Sequence, residues 1–190
     1  MKMKQLLMLL LSTFIVLNSY LPAAAASLEE KMYAPLSGPT CVDFADLTVG
    51  TVYNYGDVFV SRRVGVGVNH YFDPYRKPHK GIVQVGPGGM TTGTPHELAI
   101  KLASVTFDLP APLTSGLTLQ YYVVPGGPLN IRINGQFLNF GEMTDIHGLW
   151  IGGVNVQVFG TPEQGTLYLN GTVNDLLIGG QKLAVNDLCF

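Results

Sequence analysis

Leu183-Ala184-Val185-Asn186-Asp187-Leu188-Cys189-Phe190 ends the sequence, reads as a β-strand and carries one of only two cysteines. The other, Cys41, stands at the head of a long region of short apolar runs and glycine turns. Two cysteines in an exported chain most often join, the alternative being two buried free thiols. Joined, they close a loop of about 148 residues, for which the chain-entropy model gives roughly 5 kcal/mol before native strain is subtracted. The first strand, Val42 to Leu47, then lies against the last one.

Parity along these two strands makes a further statement. Cys41 and Asp43 share one face, as do Cys189 and Asp187. An antiparallel pair with Cys41 opposite Cys189 sets Asp43 opposite Asp187. Like charges facing each other across a ladder repel. Protonation, access to water or a bridging cation relieves that repulsion, and Ca²⁺ favours carboxylate and carbonyl oxygens. Asp43 and Asp187 are therefore a candidate structural Ca²⁺ site, with Asp46 or Asn186 as further oxygen donors. Two solvated strand-end carboxylates are the plainer alternative.

The strand pattern continues between these ends. Val64, Val66 and Val68 alternate with Gly65 and Gly67, which points to a close neighbour or a bulge on the glycine face. Leu117, Leu119, Tyr121 and Val123 alternate with polar residues or Tyr122, and Leu129, Ile131 and Ile133 alternate with Asn130 and Arg132. Asn134-Gly135 follows, a strong hairpin signal because a type I′ turn needs positive φ at both central residues. Asn170-Gly171 reads as a second such turn. The pairs Gly126-Gly127, Gly152-Gly153 and Gly179-Gly180 read as punctuation between apolar runs, and one short helical turn is expected near residues 141–147. Many short strands with tight turns and no helical period predict an all-β fold of two antiparallel sheets, a jelly-roll β-sandwich with first and last strands adjacent. An immunoglobulin-like sandwich fits less well, since its cysteines lie on two inner strands flanking a tryptophan.

The N-terminus carries Lys2 and Lys4, an apolar run from Leu6 to Leu17 and the small residues Ala23-Ala24-Ala25-Ala26. This is the layout of a secretory signal peptide, expected over residues 1–26. Residues 27–40 read as a polar lead-in and 41–190 as the β-sandwich domain. The expected location is extracellular or periplasmic, with no membrane span in the mature chain. Without Lys2 and Lys4, 9 of the 11 basic residues remain against 13 acidic ones, a net charge of about −4. That balance argues against nucleic acid and anionic membrane surfaces as partners.

Two clusters remain as carriers of function. Asn69 to Lys80 combines Tyr71, Asp73, Tyr75, Arg76 and His79, side chains of the kind that hold a sugar: flat rings for its apolar face and planar groups for its hydroxyls. The alternative is a surface loop whose aromatics cap one end of the sandwich. As a metal site, His70, Asp73 and His79 match no strong zinc spacing. Glu97, Glu142 and Glu163 are carboxylates available to a glycosidase, but no spacing selects a pair among them. Trp150, the only tryptophan, reads as core or half-core. There is no nucleophile elbow, P-loop, C-x-x-C or dinucleotide fingerprint.

The segments Cys41-Val42-Asp43-Phe44-Ala45-Asp46-Leu47, Gly50-Thr51-Val52-Tyr53 and Gly56-Asp57-Val58-Phe59 resemble the opening of a group of exported, uncharacterised bacterial proteins. Asn134-Gly135 to Asn139-Phe140, Ile151-Gly152-Gly153-Val154-Asn155-Val156 and Ile178-Gly179-Gly180-Gln181 up to Asp187-Leu188-Cys189-Phe190 are similar to their closing segments. The resemblance implies a carbohydrate-binding-module-like, galactose-binding-like jelly roll, in which a structural calcium often sits between first and last strands. It implies no activity. The sequence departs from that pattern over Asn69 to Gly81, which is richer in aromatic and basic residues. The expected function is a secreted, non-catalytic module binding a glycan or another extracellular surface component. A structural or matrix protein acting through protein–protein contacts, and a polysaccharide-active enzyme, are the alternatives.

Overall fold

The computed structural model describes residues 40–91, 95–109 and 112–190. The expected signal segment and all but Thr40 of the expected lead-in lie outside the described residues. The strands run in chain order as β1 (Cys41–Val42), β2 (Val52–Asn54), β3 (Val58–Ser61), β4 (Val64–Phe72), β5 (Pro78–His79), β6 (Ile82–Gly86), β7 (Glu97–Lys101) and β8 (Ala103–Asp108). They continue as β9 (Leu117–Val123), β10 (Leu129–Ile133), β11 (Gln136–Phe140), β12 (Trp150–Ile151), β13 (Val154–Gly160), β14 (Gln164–Asn170), β15 (Leu176–Gly180) and β16 (Leu183–Cys189). One 3-10 turn, Met143–Ile146, falls where the sequence allows a helical turn.

Two antiparallel sheets result. The first has the order β12-β13-β14-β9-β16-β7-β6-β2, with β1 added on β16; the second has the order β11-β10-β15-β8-β4-β3, with β5 added on β4. Successive segments step from sheet to sheet: β7 lies in the first, β8 in the second, β9 in the first, β10 and β11 in the second, β14 in the first, β15 in the second, β16 in the first. The inward rows of both sheets, including Leu117, Leu119 and Tyr121 of β9 and Val64, Val66 and Val68 of β4, meet in one apolar core. Period-two burial is complete in β9, where every second side chain is buried.

β16 is the centre of the first sheet. It pairs with β9 on one side and β7 on the other, and its C-terminal end takes β1. Cys41 stands opposite Cys189 and the two form a disulfide. Reciprocal hydrogen bonds between Thr40 and Phe190, at 2.9 and 3.0 Å, extend the pair outward.

Four local expectations are corrected. The first strand ends at Val42 rather than running to Leu47, because the Asp43 carboxylate accepts the Ala45 N–H and Phe44 takes a positive φ of 55° to bury its ring. The expected loop after Asp73 folds into a hairpin, with β5 pairing back on Tyr71 and Phe72. Gly152-Gly153 is a turn, as its punctuation of the apolar runs implies: with φ of 58° and 78° it is the two-residue link joining β12 to β13. Asn170 ends β14 opposite Asn155, only Gly171 has a positive φ, and the chain crosses to the second sheet instead of turning back. Gly179 and Gly180 lie inside β15, where a Cβ on Gly179 would collide with Ser104 across the ladder. Asn134-Gly135 is the expected type I′ turn, with φ of 49° and 81°.

Candidate functional site

The outer face of the second sheet carries a row of small and amide side chains that faces away from the core. Asn69 stands opposite Ser104, Ser104 opposite Gly179, Gly179 opposite Asn130 and Asn130 opposite Asn139. Ser104 and Asn130 are nonetheless fully buried, so the chain must cover them. The cover includes the end of β4. Past His70, the last residue paired with β8, the chain bends across the sheet until Phe72 reaches β10. Asn130 clamps it there: its Oδ1 accepts the Phe72 N–H at 2.7 Å and its Nδ2 donates to the Phe72 carbonyl at 2.9 Å. Asn139 on β11 donates to the Phe72 and Asp73 carbonyls at 3.0 and 2.9 Å. These bonds satisfy a backbone stretch lying outside the regular ladder, which burial would otherwise penalise.

Asp73 organises the hairpin that follows. Its Oδ1 accepts the Tyr75 and Lys77 N–H groups, both at 2.9 Å, and its Oδ2 lies 3.2 Å from His79 Nε2. The Lys77 N–H first, then His79 and the Tyr75 N–H, hold its carboxyl below the usual value against the opposing pull of desolvation. Arg76 sits at the tip with φ of 60°.

This placement sorts the five candidate ligand residues. Tyr71 is corrected: it is fully buried and its hydroxyl donates to the Pro128 carbonyl at 3.1 Å, so its ring offers no face to a ligand. Asp73 is an internal acceptor, and His79 is its partner, with its ring 5.8 Å from that of Tyr71. Tyr75 is 84% exposed. Arg76 lines a surface groove of about 310 Å³ with Phe72 and Phe137.

Phe137 is the residue that motif reading missed. It lies on β11 opposite Arg132, at an outward position, and is 40% exposed. Its ring meets Phe72 edge-on at 5.7 Å between centroids. Phe72 is 6.1 Å from His70, and His70 is 4.1 Å from Tyr55. Lys80 Nζ stands 4.9 Å over the Tyr55 ring, in cation–π range. The hairpin thus leaves an aromatic run, Tyr55, His70, Phe72, Phe137, with Lys80 at one end and Arg76 at the other. The available signal was parity: in Gln136 to Phe140 a phenylalanine occupies the phase that β10 gives to Asn130 and Arg132.

No family model, curated protein or solved structure matches the chain.

Away from this face, the ladder between β1 and β16 stops at Val42 and Leu188, before the Asp43–Asp187 pair is reached. Asp187 has a positive φ of 44°, within the register shift of β16 against β9. Asp43 meets a cation of the protein's own: Arg62 Nε and its terminal nitrogen donate to the carboxylate at 3.1 and 3.4 Å. Desolvation pushes the Asp43 carboxyl up, but the bonds from Arg62 and the Ala45 N–H outweigh it and leave the carboxyl below its usual value. Asp46 accepts the Ser61 hydroxyl at 2.6 Å and the Arg62 N–H at 3.0 Å. Among the described residues no three His, Cys, Asp or Glu side chains group closely enough to hold a metal ion.

Of the three glutamates, Glu97 is fully buried, and its Oε2 accepts the Thr91 N–H and hydroxyl at 3.1 and 3.2 Å. Glu142 and Glu163 line one groove of about 360 Å³ with Pro125, Pro128 and Pro162. Burial first, and then the Glu163 charge, push the nearby Tyr121 hydroxyl up to about 12. Trp150 is corrected from core to surface: it is 69% exposed on the edge strand β12.

Proposed function

We propose that the protein is an exported, non-catalytic carbohydrate-binding module whose ligand face is the aromatic run Tyr55, His70, Phe72 and Phe137 beside Arg76. The observation that carries this reading is the run itself: four rings in successive contact around the end of β4, beside the planar Arg76 guanidinium. Sugars present apolar faces to such rings and hydroxyls to such groups. The strand orders β7-β16-β9-β14 and β8-β15-β10-β11, with the chain stepping between sheets, support the jelly-roll reading. The Cys41–Cys189 disulfide supports an oxidising, non-cytoplasmic compartment. Polysaccharide affinity electrophoresis with the Phe137→Ala and Tyr55→Ala variants tests the reading. Both side chains are partly exposed, so folding is expected to persist while retardation by the polysaccharide is lost. Undiminished retardation in both variants would remove this face from consideration. Tyr71→Ala is unsuitable, since it would report on the core.

A structural or matrix role is the second reading, favoured by Trp150 and by Val58, which is 75% exposed, on edge strands of the two sheets. Exposed apolar edges are templates for association. Sedimentation at increasing concentration distinguishes the two: assembly abolished by Trp150→Ala supports the matrix reading.

A further inference from the structure

We infer that the glycan taken by this face is acidic, a polysaccharide bearing carboxylate or sulfate groups; the inference rests on the carbohydrate-binding reading above. The chain as a whole is acidic, with 11 Lys and Arg against 13 Asp and Glu. Yet the aromatic run ends in a cation at each side, Lys80 over Tyr55 and Arg76 beside Phe72 and Phe137. Lys77 adds a third positive charge to the same hairpin.

The nearby carboxylates are already used. Asp73 is held by two backbone N–H groups and His79. Asp57, at the turn beside Tyr55, accepts the Asn54 N–H at 2.7 Å. The ion pairs among the described residues join Arg62 to Asp43, His79 to Asp73 and Arg132 to Asp175, and include none of Arg76, Lys77 or Lys80. Cations with no carboxylate partner, set at both ends of a ring platform, complement a ligand that carries anions along an otherwise stackable chain. A neutral glycan would leave both ends unmatched. A nucleic acid also combines stackable rings with anions, but the balance of charge over the whole chain opposes it.

The test is binding of the purified protein to polygalacturonate, alginate and hyaluronan, each beside its carboxyl-reduced neutral form, with oligo(dT) and polyglutamate as non-carbohydrate polyanions. The expected result is that at least one acidic polymer binds about tenfold tighter than its neutral form, as two or three exposed charge contacts would give. That preference is expected to fall with added salt. Arg76→Gln combined with Lys80→Gln is expected to abolish the preference, and Phe137→Ala to weaken binding to the polymer. Circular dichroism melts confirm that each variant is folded. Equal binding to acidic and neutral forms overturns the acidic specificity and leaves the glycan reading standing. Equal or tighter binding to oligo(dT) or polyglutamate overturns it in favour of a general polyanion surface. Failure to bind any of the polymers overturns both readings.

Discussion

Asn134 has two roles, and the second is visible only in three dimensions. Its backbone supplies the positive φ of the type I′ turn. Its side chain joins three segments: Nδ2 donates to the Gly152 and Thr172 carbonyls at 2.9 and 2.8 Å, and Oδ1 accepts the Asn174 N–H at 2.8 Å. Asn134→Gly keeps the turn and loses these bonds, so thermal melts should show a loss of about 1–2 kcal/mol. Asn134→Ala should cost about 1 kcal/mol more, because alanine resists the left-handed region. Equal stability of Asn134→Gly and the native protein would mean the side-chain bonds contribute nothing. The depressed carboxyls of Asp43 and Asp73 set a pH dependence. Their contribution is present above the ordinary aspartate value of 3.8 and is lost as pH falls through the lower folded values. Stability should therefore decline on acidification below about pH 4, and Asp43→Asn should flatten part of that decline. An unchanged slope in melts of Asp43→Asn would exclude Asp43 as a source.

At the scale of the element, the decisive feature is the end of β4. Its first half is an ordinary strand, with Val64, Val66 and Val68 inward and Gly65 close to Asp108 on the neighbouring strand. Its last two residues, Tyr71 and Phe72, leave the ladder with β8 and run over the outer face of the sheet, clamped by Asn130 and Asn139. Leucine at position 130 would strip the Phe72 N–H of its Asn130 acceptor and leave the Phe72 carbonyl with the Asn139 donor alone. Asn130→Leu should lose about 1–3 kcal/mol in urea unfolding, because the Phe72 N–H loses its side-chain acceptor and the carbonyl one of its two donors. Hydrogen exchange should quicken most over residues 71–80, and exchange that quickened evenly along the chain would contradict a local clamp. The same substitution should disperse the ring run, since Phe72 is its third member.

For the whole molecule, the disulfide ties β1 to the central strand of the first sheet across a sequence separation of 148 residues. Replacing Cys41 and Cys189 together by alanine should lower stability by up to about 5 kcal/mol, the loop-closure value. Guanidinium unfolding checks it, and an unaltered midpoint would show that β16 holds β1 without the bond.

The all-β class, the two-sheet arrangement, the first-to-last strand register and the Asn134-Gly135 turn were all legible in the sequence. They rest on local rules: period-two burial, positive-φ turn chemistry and the scarcity of cysteine. Parity failed at Asp43 and Asp187, where left-handed residues end or shift the ladder, which no alternation pattern reports. Tyr71 and Trp150 were misplaced for one reason, that an aromatic side chain suits both core and surface and only packing chooses. The hairpin at residues 71–80 was legible as a chemically rich segment. Its address was not, because laying it across Asn130 and Asn139 and beside Phe137 depends on contacts between residues nearly 60 apart, such as 72 and 130. The sequence by itself determined the all-β class and how the ends meet, since neighbouring residues encode those features. Tertiary structure alone decided which rings share a face and which charges stand unmatched beside them, because burial and proximity arise only once both sheets have closed on one core.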